Sequence, residues 1–235
     1  MIRGHAMAVR RLGLFLLLVS VSFSPAMAQA PFVAGQIADP ARCHLHVWPA
    51  AQLDAVTQAL MNHVVNQAFD PARGGIARPD VLSLESQRAQ MAALDLPGMF
   101  RLEGAQLVIH EQPAPRPSPA APQAPIVQPV APCHVELVIG RLIYDHAPMA
   151  PHALKTLVSI RSFAAGGDLL ASYTAWGETP LRRFPPRAGE DPSAAAAELV
   201  AAYGANLQQV AAFAAVPPDR KGRRKRPSSS SLPSS

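Results

Sequence analysis

The segments "CHLHVW", from Cys43, and "CHVELVIG", from Cys133, hold the only two cysteines among 235 residues, and a histidine follows each. Three chemistries use these residue types: a split metal site, a cysteine–histidine catalytic pair and a disulfide. Strand geometry helps to separate them, because successive side chains point to opposite faces. Cys43 then shares a face with Leu45 and Val47, while His44, His46 and Trp48 take the other. Cys133 shares a face with Val135, Leu137 and Ile139, while His134, Glu136 and Val138 take the other. Each Cys therefore points away from its neighbouring His, and the pair cannot grip one ion from a regular strand. The close C-x-x-C spacing of Cys2His2 zinc sites is also missing.

Two core-side cysteines in an exported chain, with none left over, read as a disulfide. Such a bond would join the two halves of the chain and contribute about 4–5 kcal/mol by the chain-entropy model. Its Cα atoms would lie about 4.4–6.8 Å apart. The opposite face carries the alternative. If the two strands are neighbours, His44, His46, His134 and Glu136 form a His-rich set suited to zinc or copper. The competing reading of that face is a polar surface, solvated or covered by a helix.

Other catalytic signatures are missing. "HEQPA" at His110 begins like H-E-x-x-H, but it has no second histidine and Pro113 breaks the helix that motif needs. The chain has no G-x-S-x-G, no phosphate-cradling G-x-x-x-x-G-K and no G-x-G-x-x-G. "YDHAPMAPH" puts Asp145, His146 and His152 close together without marking a nucleophile. Arg182, Arg183 and Arg187 read as a solvated basic loop, and Trp48 and Trp176 as core fillers.

Several elements must position these residues. Residues 43–48 alternate and read as a strand stopped by Pro49. Leu53, Val56, Leu60 and Val64 recur at helical spacing, which predicts an amphipathic helix over 50–69. A second helix is predicted over 80–96, with Leu84, Arg88, Met91 and Leu94 to Leu96 as its stripe, followed by a short strand at 105–110. The prolines of 113–132 exclude helix and sheet interior, so this segment reads as a disordered, proline-rich insertion. "CHVELVIGRLIYDH" suits a central strand. "ALKTLVSIRSF" and "LLASYTAW" around "AAGGD" read as a hairpin. The last helix is predicted after Asp191 as N-cap and Pro192 as its first residue, with Leu199, Tyr203, Leu207, Val210 and Phe213 buried. This order implies one α+β domain over 43–216, a mostly antiparallel sheet with helices packed on one face.

The termini bear on compartment. Residues 1–28 have the layout of a secretory signal peptide: Arg3, Arg10 and Arg11, then "LGLFLLLVSVSF", then Ala26 and Ala28 at an A-x-A site. The apolar run is shorter than the roughly 20 residues a membrane span needs. Cleavage is expected before Gln29, with an irregular lead-in over 29–42 and no transmembrane segment left in the mature chain. The formal net charge is +5. Much of the positive charge sits in the signal and in Arg220, Lys221, Arg223, Arg224, Lys225 and Arg226, and the region between is mildly acidic. Attraction to an anionic surface therefore belongs to the tail, 217–235, which reads as disordered. The expected compartment, periplasmic or secreted, argues against nucleic acid as the partner.

With "LHVWPA" at 45–50, "ESQRAQMAALDLPG" at 85–98, "CHVEL" at 133–137 and "RRFPP" at 182–186, the chain resembles a group of uncharacterised exported proteins of alphaproteobacteria. Its element order is also loosely similar to bacterial envelope auxiliary proteins that pair an α+β domain with a flexible tether. Those proteins often carry a lipid-anchor cysteine, and this chain lacks one near the expected cleavage site. The resemblance implies no activity and no cofactor. The expected function is a non-enzymatic envelope protein, an interaction or assembly module whose partner is an unknown envelope protein or an anionic surface. The alternative is a metal-binding protein or metallohydrolase built on the His/Glu face.

Overall fold

The computed structural model describes residues 39–59, 62–65, 79–116, 123–146, 151–187 and 189–215. The predicted signal peptide, most of the lead-in and the basic tail lie outside them.

The organising element is β5 (Cys133–His146), whose 14 residues run the length of a seven-stranded sheet. Two short strands share one of its edges. β1 (Cys43–Trp48) pairs parallel with its first half and β2 (Leu53–Ala59) pairs parallel with its second half. β3 (Asn62–Val65) adds antiparallel to β2, and β4 (Gln106–Ile109) adds parallel to β1. The other edge of β5 takes β6 (Ala153–Ala164), and β6 takes β7 (Leu169–Pro180), both antiparallel. The expected α+β class holds. The sheet, however, is mixed: the two long ladders are antiparallel, and the pairings of β1 and β2 with β5 are parallel.

The predicted helix over 50–69 is not formed; β2 and β3 occupy that stretch. Leu53 and Ala55 are buried and Asp54 and Val56 are only partly so, which is strand periodicity. The free edge of β5 captures this apolar run, and pairing there outweighs the helical spacing of Leu53 and Val56.

Among the described residues, three α-helices cover one face of the sheet: α1 (Leu84–Ala93), α2 (Leu96–Met99) and α3 (Pro192–Ala214). Their Met91, Leu96, Leu199, Tyr203, Leu207 and Val210 meet Leu45, Val47, Val135, Leu137, Val158 and Ile160 of the strands in one core. α1 does not bury the predicted Leu84 and Arg88 with Met91; it buries Gln87 instead. The Gln87 amide accepts from the Ala50 N–H at 2.9 Å and donates to the carbonyls of Ala50 and Leu82, clamping the β1–β2 connection. α3 starts as predicted, with the Asp191 carboxylate accepting from the Ser193 N–H.

Asn206 of α3 is fully buried. Its amide donates to the Leu154 carbonyl and the Thr156 hydroxyl and accepts from Thr179, so α3 is tied to β6 and β7. A Cβ at Gly177 would lie 2.5 Å from the Asn206 carbonyl oxygen, so the helix backbone can approach β7 only over a glycine. The register of β5 with β6 shifts between Ile139 and Arg141. Ile139 faces the core before this bulge, and Leu142 and Tyr144 face it afterwards.

Candidate functional site

The register of β1 against β5 pairs Cys43 with Cys133, His44 with His134, and His46 with Glu136. Cys43 and Cys133 form a disulfide, with their Cα atoms 4.4 Å apart. Both cysteines lie on the helix side of the sheet, as alternation requires.

The opposite face carries the predicted His/Glu set, with additions. His46 is buried, and its ring lies 4.6 Å from that of His134 and 6.1 Å from that of His44. His110, just past β4, reaches the same face. Its Nε2 is 3.0 Å from His46 Nδ1, and its ring stacks on Trp48 at 4.1 Å. The sequence pattern gave His110 no place in this set. The available signal was the short strand before it, but only pairing with β1 brings it alongside His46. Burial, with His134, His110 and His44 nearby, lowers the His46 pKa to about 4 against an opposing pull from Glu136. His46 is therefore a neutral imidazole at neutral pH, and one N–H serves the His46–His110 contact.

Glu136 and His134 are fully buried. One Glu136 oxygen lies 3.2 Å from His134 Nε2 and accepts from the N–H groups of Ile126 and Val127. The other accepts from the Arg161 guanidinium at 2.5 Å, and Arg161 also donates to the Ala124 carbonyl. Burial alone would raise the Glu136 pKa. The His134 contact, the Arg161 charge and the two backbone N–H groups outweigh burial and hold it below the usual value. Among the described residues, the buried His134 Nδ1 has no hydrogen-bond partner.

Ile126 and Val127 belong to the proline-rich segment. Its described parts form neither helix nor strand, as the prolines dictate, but 124–127 are fastened to the sheet and Ala131 is buried. The expectation of a solvated, disordered excursion therefore does not hold for this stretch, which acts as a strap over the face that the helices leave open.

This arrangement bears on the metal alternative. The sheet does bring His44, His46, His134 and Glu136 to one face. Both Glu136 oxygens are engaged with protein donors, however, and among the described residues no three His, Cys, Asp or Glu groups are arranged to hold a metal ion.

A second polar group lies at the far end of β5. The Tyr144 hydroxyl is 2.9 Å from His152 Nδ1, and His152 Nε2 is 2.9 Å from His146 Nδ1. Burial raises the Tyr144 pKa, while burial and then His152 lower that of His146 against Asp145. Asp145 falls on the opposite face and pairs with Lys155 at 2.5 Å. Alternation thus separates this carboxylate from the two imidazoles.

The basic loop is also held in place. Glu198 of α3 accepts from the backbone N–H groups of Arg182, Arg183 and Phe184, while the Arg182 and Arg183 side chains remain exposed. Trp48 is buried as predicted, but Trp176 is 43% exposed on the open face. The tail residues Arg220, Lys221, Arg223, Arg224, Lys225 and Arg226 lie outside the described residues.

No family model matches the chain, and no curated protein matches it significantly. Solved structures of similar outline include a Xanthomonas campestris protein of family DUF330. It has 15% identity and a TM-score of 0.38, covering 76% of this chain and 86% of that one. A hypothetical protein of Chlamydia trachomatis has 9% identity and a TM-score of 0.35, covering 72% and 94%. A Neisseria meningitidis lipoprotein has 9% identity and a TM-score of 0.21, covering 69% and 95%.

Proposed function

We propose that this chain is an exported, non-enzymatic envelope protein, an interaction or assembly module. The observation that carries the reading is the Cys43–Cys133 disulfide, a bond that persists in oxidising compartments. The buried polar groups of the open face support it further. Glu136, and Arg161 through two of its donors, hold the strap, which is a structural duty. The partner is an envelope protein or an anionic surface, and the basic run Arg220–Arg226 is the tether.

Crosslinking in intact envelopes, followed by N-terminal sequencing, tests this reading. The mature chain should begin at Gln29 and be recovered in a defined complex or at the membrane surface. A cytoplasmic chain starting at Met1 would overturn it. Deleting 217–235 should leave the melting temperature nearly unchanged and weaken binding to anionic vesicles; equal binding with and without the tail removes the tether.

A further inference from the structure

The strap does not lie flat on the sheet. Between them runs a cleft of about 390 Å³, within the range of small-molecule sites. Its floor is Val138, Ser159, Arg161 and Ser172, side by side on β5, β6 and β7. Its walls include Ile126 and Leu169, with Pro115 and Arg116 where the first part of the strap closes over.

Two features fix the kind of ligand. Pro115, Ile126, Val138 and Leu169 give the cleft an aliphatic side that suits a hydrocarbon body, next to the polar Gln123, Ser159 and Ser172. Two arginines line the cleft, and among the described residues no carboxylate does. Glu136, beside the floor on the same sheet face, answers Arg161 and also meets His134. The cleft thus carries one cationic group uncompensated within its own lining, and Arg161 has committed two of its five N–H donors among the described residues. A cationic ligand would be repelled, and Arg116, exposed at the mouth, is placed to meet an anionic group.

We propose that the cleft binds a small aliphatic carboxylate, its chain against Val138, Ile126 and Leu169 and its carboxylate held by Arg116 at the mouth. Arg161 is already fixed by Glu136 and supplies a rigid second donor. Guanidinium–carboxylate recognition is charge-assisted and directional, so the carboxylate sets the preference and the aliphatic wall adds affinity.

Titration calorimetry of the oxidised mature protein with submicellar decanoate, decan-1-ol and decyltrimethylammonium tests the assignment. Decanoate should bind one molecule per chain. The alcohol should bind about tenfold more weakly, as expected for loss of a charge-assisted contact, and the ammonium should not bind. R116A should reduce decanoate to the level of the alcohol. S172W, which fills the floor, should abolish binding with an unchanged circular dichroism spectrum; S159F serves the same purpose if S172W fails to fold. The site is refuted if decanoate gives no binding, if all three probes bind equally, or if a folded fill-in variant still binds decanoate.

Discussion

Replacing Glu136 with glutamine tests how the open face is held. Glutamine keeps the shape and one acceptor, but it removes the charge facing Arg161, whose side chain is only 13% exposed. Removing one partner of a buried pair typically costs about 3–5 kcal/mol, because the other charge is left buried and unanswered. The remaining amide oxygen can still accept from Ile126 or Val127, so a loss near the lower end, about 3 kcal/mol, is expected. Urea unfolding of the oxidised protein measures it. The midpoint should fall with an unchanged slope, since the surface exposed on unfolding is the same. The double variant E136L/R161M should recover most of the loss, because an apolar pair of similar volume often replaces a buried ion pair at little cost. The pH dependence has a definite sign. The folded pKa of Glu136 is depressed, so its contribution is present above its unfolded value, about 4.3, and is lost as pH falls through the folded value. E136Q should flatten that acid limb. An E136Q variant within about 1 kcal/mol of the parent, a net value typical of exposed pairs, would mean that the carboxylate is not the pin of the strap.

Thiol counting on the unfolded, unreduced protein should find no free thiols, and C43S should cost about 2–5 kcal/mol; a change below about 1 kcal/mol would return the cysteines to consideration as ligands. The His46 pKa lies near 4 in the folded chain, below its unfolded value of about 6.5. Its contribution is therefore present above the unfolded value and should be lost as pH falls through the folded one, and H46F should weaken that dependence in a denaturation series. G177A should destabilise by about 1–3 kcal/mol through the clash with α3; an unchanged melting temperature would show that the helix moves freely. Mature protein purified without chelator should hold far less than stoichiometric zinc or copper, and near-stoichiometric metal lost in H46A would restore the metal reading.

What was legible in the sequence was local. Residues 43–48 and 133–139 read as strands, so their faces followed from strand geometry, and the cysteine pairing followed from those faces, the expected oxidising compartment and the lack of a third cysteine. Asp191 and Pro192 marked the start of α3, and the glycine loop marked the β6–β7 hairpin. What was not legible depended on distant partners. The stretch from Leu53 to Val65 fits helical spacing, and only the free edge of β5 decides for strand. Parallel pairing of β1 and β2 depends on where long connections return, which no local pattern records. The prolines of 113–132 forbid a ladder, but they leave the N–H groups of Ile126 and Val127 free to seek a buried carboxylate. His110 joined the His face through β4 in the same non-local way.

The position of β5 has a consequence for the order of assembly. β5, β6 and β7 follow one another in sequence and pair as neighbours, so their ladders close short loops. β1 and β2 must instead wait for a strand that lies far along the chain. Loop-closure entropy and contact order then favour a meander of β5 to β7 that forms early, docked by α3, with β1 and β2 added late along the remaining edge. Cys43 meets Cys133 only when that last edge is filled in register. Oxidation of the pair would therefore act as a latch on a finished sheet, and the time course of thiol loss during refolding would report the completion of the fold rather than its beginning.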